Sequence, residues 1–465
     1  MVQLSARYQY LDSSNRPLQE GPCRLQFDAQ AFTLTPESGP PLAFDLGDLD
    51  AVTAADWEVR LPLYTGRTIL LRQLGRGFDN LAHDLLEAFR QRTIQCLLLE
   101  DMQEIARFPG SFELSSTGSS PRSSQAEFRL CKSNLAVLPA ASQAFQWRLA
   151  DIDSVQFDSS NYLVVIKSGP ETLTVSRLAK RTEEFATKLR DAMSDISTAS
   201  AQALHASFPF LNPDQLQSMA ALLKEGRSAP VAELAAIHPK MPAALAANAV
   251  DKDLKPYYDQ LLTRTANGML YAGFKLVRPE DGSCGMSDGS DQTAAGSRSD
   301  TGSQGADAAT ASSDDDDNAP DADNKGPQTL YWFFFPIAAK AGSSEPTNVV
   351  AWEASSRSGR ATYFFRLVDP AKAAQLQDAS NAPTIVGSSV RRLNRVLAML
   401  NFRRRPIYLS DDELDADPRF RRYAIAARRM PEVREMRASF LGRAFHSSLE
   451  AWRGQVAAIL VKAGV

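Results

Sequence analysis

The stretch FDLGDLDAV at residues 44–52 returns, 103 positions further along the chain, as WRLADIDSV at residues 147–155. Self-similarity at a constant offset is the mark of a duplication, and chance does not keep apolar class, proline, glycine and two aspartates in one register. Residues 23–93 and 126–196 are therefore predicted to be two copies of one module. Further pairs at this offset are Phe27 with Leu130, Phe32 with Leu135, Leu34 with Val137, Pro36 with Pro139, Gly66 with Gly169 and Leu70 with Leu173.

Each copy combines short strands with one helix. The segments WEVRL at 57–61 and YLVVI at 162–166 have the alternating apolar character of antiparallel strands. Gly66 and Gly169 follow them, where a tight hairpin needs positive φ. An apolar stripe at helical spacing closes each copy. The stripe consists of Phe78, Leu81, Leu85, Leu86 and Phe89 in the first copy and of Phe185, Leu189, Met193 and Ile196 in the second.

This order, several strands and then a single helix, resembles the pleckstrin-homology (PH-like) superfold, here in tandem over residues 1–196. Relatives of that fold that bind phosphoinositides carry several Lys or Arg around the first hairpin. Here the first copy offers Arg24, and the second offers Arg129 and Lys132. The resemblance therefore implies docking of a protein or peptide on the sheet edges in preference to a lipid headgroup.

The predicted fold class is α+β: two tandem PH-like β-sandwich or barrel modules, each capped by a C-terminal helix, precede a helical and antiparallel-sheet C-terminal half. At 465 residues the chain is too long for a single core. The predicted divisions are module 1 at 1–105, module 2 at 106–198, a helical segment at 199–268, an antiparallel β segment at 269–386 and Arg-rich C-terminal helices at 387–465.

Within the C-terminal half, Asn212-Pro213 begins a predicted helix, because a capping residue precedes proline at the first helical position. Helices are also predicted near 231–237, 243–250 and 254–265, and strands at 269–277, 330–337, 349–354 and 361–368. A hairpin turn is expected at 356–359. Pro431 is predicted to open one long helix that continues through Phe440, Trp452 and Ile459.

An acidic insertion at 280–327 separates two of these strands. From Glu280 to Lys325 it holds eleven Asp and one Glu against one Arg and one Lys, a net charge of about −10 with no aromatic residue. Such a composition predicts disorder, because too little apolar surface is available to offset the ordering entropy. Its charge also suggests association with the basic C-terminus of the same molecule.

Residues 387–465 hold fifteen Arg and one Lys against eight acids, a net charge of +8. Such a surface could bind nucleic acid or another polyanion through phosphate contacts. The alternative is an ordinary helical surface whose arginines pair with nearby acids. The candidate anion-binding or partner-binding residues are Arg403, Arg404, Arg405, Arg421, Arg422, Arg428 and Arg429.

No catalytic, cofactor-binding or metal-binding residue can be nominated from the sequence. The four histidines are scattered without HxxxH or HExxH spacing. Asp48 and Asp50, repeated as Asp151 and Asp153, are interpreted as turn residues that hydrogen-bond the local backbone, with binding of a basic peptide as the alternative. An enzyme site in the 200–465 half could be lined by the strand aromatics Tyr331, Trp332, Trp352 and Tyr363.

Four cysteines without CxxC spacing fit a reducing compartment, and the N-terminus lacks an apolar signal region. A cytoplasmic location without membrane association is expected. The predicted function is a non-enzymatic interaction or scaffold protein that docks a protein or peptide on its tandem modules. Nucleic-acid binding through the C-terminal arginines and an enzyme in the 200–465 half are the alternatives, and the partner's identity and the oligomeric state stay open.

Overall fold

The structure is a computed structural model that describes residues 2–97, 103–116, 120–139, 143–277, 328–338, 346–354, 361–367 and 382–465. The acidic insertion predicted at 280–327 and the hairpin turn predicted at 356–359 lie outside these ranges. The predicted α+β fold class is confirmed.

The first module is a seven-stranded antiparallel sheet followed by a helix. Its strand order is β4-β3-β2-β1-β7-β6-β5, so the chain winds outward from β1 to one edge and then fills the other. The strands are β1 (Val2–Leu11), β2 (Pro17–Phe27), β3 (Ala31–Pro36), β4 (Leu42–Asp45), β5 (Thr53–Ala55), β6 (Glu58–Pro62) and β7 (Thr68–Arg72), and the helix is α1 (Phe78–Cys96).

The second module repeats this arrangement in the order β11-β10-β9-β8-β14-β13-β12. Two such sheets, each with a helix after it, are compatible with PH-like modules. The strands are β8 (Glu104–Ser116), β9 (Arg122–Cys131), β10 (Asn134–Pro139), β11 (Phe145–Arg148), β12 (Ser154–Asp158), β13 (Leu163–Ser168) and β14 (Glu171–Ser176), and the helix is α2 (Thr182–Ser207).

The duplication is visible strand by strand, although its offset is not constant. The value of 103 holds from β2 to the single-turn 3-10 helices at Leu46–Asp48 and Leu149–Asp151. In module 2, Leu173 is paired with residues of β8 and β13. In module 1, the residue in the corresponding position, paired with β1 and β6, is Ile69. The predicted pairing of Leu173 with Leu70 is therefore wrong by one residue. The hairpin between β12 and β13 has two more loop residues than the hairpin between β5 and β6. The connection from Ile166 to Leu173 is one residue shorter than the connection from Leu61 to Ile69, which leaves a net shift of one residue.

Each module has its own core between the sheet and its helix. In module 1 the side chains of Phe32, Leu61 and Leu85 are fully buried there, and in module 2 Phe128 and Phe185 are. The predicted apolar stripes of α1 and α2 supply these helical contacts.

The C-terminal half is a six-stranded antiparallel sheet between two layers of helices. Its strands, in sheet order, are β15 (Ser228–Pro230), β16 (Tyr271–Val277), β17 (Gln328–Ala338), β18 (Pro346–Ala354), β19 (Ala361–Arg366) and β20 (Phe440–Phe445). The helices are α3 (Pro213–Leu222), α4 (Val231–Ile237), α5 (Met241–Ala249), α6 (Lys255–Thr263), α7 (Ala382–Met399), α8 (Arg405–Tyr408), α9 (Asp411–Ala416), α10 (Arg421–Arg429), α11 (Pro431–Ser439) and α12 (Leu449–Ala463).

Successive side chains along each strand point to opposite faces of this sheet, so each strand contributes to two cores, one on either face. Trp332 and Phe334 face the core shared with α7, α10 and α11, whereas Phe333 and Phe335 face the core shared with α3–α6 and α12. The first of these cores also includes Ala136 and other residues of the modules, so module 2 packs on the C-terminal half. Continuous apolar runs such as YWFFF are what a sheet covered on both faces requires.

The prediction of one long helix from Pro431 is wrong. The helix that begins at Pro431 ends at Ser439, and strand β20 and a second helix follow it. Gly442 adopts φ 154° in that strand, which pairs with β19 and thereby extends the sheet. Ser448 then starts α12 by accepting a hydrogen bond from the backbone N–H of Ala451 (3.2 Å), a side-chain cap that begins a new helix.

Candidate functional site

The turn at Leu46–Asp48, which lies within the repeated stretch FDLGDLDAV, is also where module 1 contacts the C-terminal half. In the 3-10 helix after β4, Asp48 accepts hydrogen bonds from Arg421 (2.8 Å) and Arg428 (3.3 Å) of α10. The neighbouring Gly47 carbonyl oxygen accepts one from Arg429 (2.8 Å). These three arginines, predicted as candidates for binding a partner, therefore hold two parts of the same chain together.

Further charges complete this interface. Asp45, at the end of β4, is held by a bidentate pair with Arg92 of α1, at 2.8 Å and 2.6 Å. Asp415, near the end of α9, accepts hydrogen bonds from Arg428 at 2.6 Å and from Arg421. Carboxylates thus alternate with guanidinium groups across this interface, and this arrangement fixes the orientation of module 1 relative to α9 and α10.

The pKa directions show that burial is the dominant cost in this cluster. Burial raises the pKa of Asp48, against the attraction of Arg421 and Arg428. Burial also lowers the pKa of Arg429, whose guanidinium reaches a backbone carbonyl. Burial also acts to lower the pKa of Arg428, but the hydrogen bond to Asp415 and the attraction of Asp415 and Asp48 together raise this pKa. Buried ion pairs of this kind mostly repay their own desolvation, so they specify the docking geometry more than they add stability.

The second copy of the turn docks a different part of the C-terminal half. Asp153 lies 3.4 Å from Arg227, before β15, and 3.8 Å from Arg391 of α7. Glu171 of β14 accepts a hydrogen bond from Arg395 of α7 at 2.7 Å. Asp153 also accepts from the backbone N–H of Gly169 (2.7 Å), which lies in the turn between β13 and β14 and not in the local backbone that was predicted. Both copies therefore use this acidic turn to receive arginines from the same chain.

The other four predicted arginines lie elsewhere. Arg403 and Arg404 lie between α7 and α8, Arg405 begins α8, and Arg422 is on α10. Arg404 is buried, with its guanidinium 5.7 Å from the ring centroid of Tyr363. The guanidinium of Arg405 lies 5.5 Å from the Phe420 ring, and that of Arg422 lies 4.8 Å from the Tyr423 ring. The seven arginines thus do not form one continuous basic surface.

The strand aromatics proposed as the lining of an enzyme pocket are core residues. Tyr331 faces one helical layer, whereas Trp332, Trp352 and Tyr363 face the other, and all four are buried. The Trp332 indole donates to Asn394 Oδ1 (2.9 Å). The sheet therefore separates Tyr331 from the other three side chains, which are packed in a buried core, so the four cannot line one pocket.

A buried polar cluster, which the sequence did not predict, joins β18, β19 and α12. Thr362 Oγ1 donates to Glu353 Oε2 (2.7 Å) and accepts from Trp452 Nε1 (3.1 Å). His446 Nε2 lies 3.0 Å from the same hydroxyl and 3.5 Å from Glu353. The geometry differs from a catalytic triad, because hydroxyl and carboxylate meet the same ring nitrogen and the Thr362 proton is already donated. We interpret the cluster as structural.

The hairpins between β5 and β6 and between β12 and β13 expose one large aromatic side chain each. Trp57 is 68% exposed and Tyr162 is 62% exposed, and each directly precedes the second strand of its hairpin. Both adopt left-handed backbone conformations, with φ 62° and 53°. Left-handed backbone costs an L-residue about 1–2 kcal/mol, and a bulky residue there is uncommon. The two modules therefore repeat the same local conformational cost at the same place.

Comparison with known proteins gives no family for this chain. No family model matches the sequence, and no curated protein matches it. In the described ranges, no three His, Cys, Asp or Glu residues are grouped so that they could hold a metal ion. No helix in that part of the chain is both long and apolar enough to cross a membrane.

Proposed function

We propose that this chain is a non-enzymatic interaction protein whose two PH-like modules dock a protein partner at the hairpin tips of Trp57 and Tyr162. The observation that carries the proposal is the recurrence of an exposed aromatic, on left-handed backbone, at the same place in both modules. Trp and Tyr supply large contact areas with few rotamers to immobilise, which is why they dominate interface energetics.

The surroundings of the first tip suit a peptide or protein surface. Trp57 rests on Phe78, the first residue of α1, with ring centroids 5.3 Å apart. Beside it, the edge strand β5 exposes all three of its residues, Thr53–Ala55. An open strand edge next to an apolar anchor offers main-chain hydrogen bonds and a side-chain contact to an extended partner.

The alternatives predicted from the sequence have less support. Arg421, Arg428 and Arg429 contact module 1 of the same chain, which removes three of the seven cations that nucleic-acid binding would use. The four aromatics of the enzyme alternative are divided between two cores. The tandem modules therefore remain the best basis for function.

Glycine substitution at the tips tests the proposal without disturbing the fold. Glycine relieves the left-handed strain, about 1–2 kcal/mol, while the third of each side chain that is buried contributes a similar amount. Trp57→Gly and Tyr162→Gly should therefore leave the free energy of unfolding within about 1 kcal/mol of wild type. The control is Val461→Ala, which removes apolar surface from a residue that is 74% exposed on α12.

The measurement is affinity capture of the tagged full chain with quantitative mass spectrometry, at low and high salt. Proteins retained by wild type and by Val461→Ala, but lost from the Trp57→Gly/Tyr162→Gly variant, would support the proposal. An unchanged set of captured proteins in the double variant would overturn it.

A further inference from the structure

The outer face of the module 1 sheet carries a row of four arginines, one on each of four adjacent strands. In sheet order these are Arg24 on β2, Arg7 on β1, Arg72 on β7 and Arg60 on β6. Arg7 and Arg72 are directly paired across their strands. Arg24 lies two residues along β2 from the residue directly opposite Arg7, and Arg60 lies two residues along β6 from the position opposite Arg72. Arg24 and Arg60 are therefore the diagonal neighbours of Arg7 and Arg72.

The row is exposed and mostly without partners. All four residues are exposed to solvent. Arg72 donates to Glu58 (2.5 Å) and to Gln9 (3.1 Å). Across the part of the chain that the structure describes, the side chains of Arg7, Arg24 and Arg60 have no hydrogen bond or ion pair. This contrasts with α10, where Arg421 and Arg428 are engaged by carboxylates.

The second module shows that the PH-like fold does not need this row. The residues that take the same register positions are Ser111 for Arg7, Glu127 for Arg24, Ser176 for Arg72 and Val165 for Arg60. All four cations are absent in a sheet of the same topology. The arginines are therefore specific to module 1 and are not required by the architecture.

Such a row carries an electrostatic cost in the folded protein. Like charges directly opposite each other on a sheet are destabilising, as Arg7 and Arg72 are here. Glu58 offsets this for Arg72, but Arg7 has no equivalent acid. Unpaired cations gathered on a flat surface are what an anionic ligand requires.

The net charge of module 1 favours a short anionic ligand over a long polyanion. From residue 2 to residue 97 the chain holds nine arginines and no lysine against twelve acids, a net charge of −3. A long polyanion would be repelled by that field, since nucleic-acid binding domains are basic as a whole. The row is also interrupted by Glu58, and it carries no aromatic side chain on which a base could stack.

We propose that the arginine row of module 1 binds a short carboxylate-rich segment of the protein partner, an inference that rests on the proposed docking function. Guanidinium groups pair bidentately with carboxylates. Diagonal neighbours on a sheet are about 7–8 Å apart, and alternate side chains of an extended peptide are about 7 Å apart. An extended segment with Asp or Glu at alternate positions therefore matches the two diagonal steps of the row, and the directly opposed Arg7 and Arg72 can share one carboxylate.

The test uses the full chain and a synthetic eight-residue peptide in which Asp and Ser alternate, followed by fluorescence anisotropy at low ionic strength. The variant Arg7→Ser/Arg72→Ser installs the residues of module 2. The control, Arg190→Ser/Arg453→Ser, removes the same charge from exposed positions on α2 and α12. We expect the first variant to bind at least tenfold more weakly and the control to bind within twofold of wild type.

Three results would overturn the inference. They are equal losses in both variants, tighter binding of a single-stranded oligonucleotide of equal charge, and absence of peptide binding to wild type. If partner capture still depends on Trp57 and Tyr162 in any of these cases, the docking function stands and the acidic-segment assignment alone fails. If that dependence is also absent, both fail.

Discussion

Replacing Gly47 with alanine should act as a wedge between module 1 and α10. Gly47 lies in the 3-10 helix after β4, enclosed by α1 and α10. A Cβ placed there would lie 2.9 Å from Cys96 Sγ and 2.9 Å from Ile425 Cδ1. Both distances are about 1 Å shorter than a normal van der Waals contact. Because Cys96 and Ile425 are themselves buried, neither can move away freely.

The size of the effect follows from two opposing terms. Overpacking a buried site costs about 1–3 kcal/mol, whereas glycine to alanine at a compatible backbone position returns about 0.4–1 kcal/mol. Alanine is compatible with this turn, because Ala150 occupies the same position in module 2. We therefore expect Gly47→Ala to lower the free energy of unfolding by about 1–2 kcal/mol, and the loss to come from the contacts with Cys96 of α1 and Ile425 of α10.

Urea denaturation of wild type, Gly47→Ala, Ile425→Val and the double variant checks this expectation. Ile425→Val removes the Cδ1 methyl group and alone should cost about 0.5–1.5 kcal/mol. The double variant should be more stable than the sum of the single effects predicts, by about 1 kcal/mol. Strict additivity, or a Gly47→Ala protein as stable as wild type, would refute the docking of α10 on this turn.

Two further predictions concern buried polar groups. Arg92→Met leaves Asp45 without its bidentate partner and should cost about 3 kcal/mol in urea unfolding; adding Asp45→Leu should recover most of that loss, and no recovery would contradict the pairing. Burial raises the pKa of Tyr258 to about 12. Because the folded state then favours the neutral phenol, this stabilisation is complete below the unfolded pKa of about 10 and is lost as pH rises toward 12. Tyr258→Phe should flatten that part of the stability profile, and an unchanged profile would count against the burial.

Much of the fold could be predicted from local pattern. The repeat, both module helices and the strands near 330–337 and 349–354 follow from periodicity, because each is set by neighbours in sequence. The sequence also contains a signal for the covered face of module 2. In β10 the run LAVLP is continuously apolar, whereas its counterpart FTLTP in β3 alternates with threonine. A strand that is apolar on both faces indicates that module 2 is covered on its outer side, as the packing of Ala136 shows.

The site could not be predicted in the same way. The partners of Asp48 lie more than 370 residues away, at Arg421 and Arg428. No local spacing reveals such a pairing, and an Asp in a turn has an ordinary local explanation. His446 was equally uninformative, since its neighbours Glu353 and Thr362 come from other strands. Tertiary contacts between distant segments decide these environments.

Photo-crosslinking at the two hairpin tips tests the docking function most directly. A photoreactive phenylalanine analogue would replace Trp57 in one protein and Tyr162 in another, with Val461 as the control position, and the products would be identified in native lysate. We predict that the same discrete protein crosslinks at both tips and not at Val461. Absence of a specific crosslink at either tip, or the same products at all three positions, would contradict the proposal that the tandem modules are a docking platform.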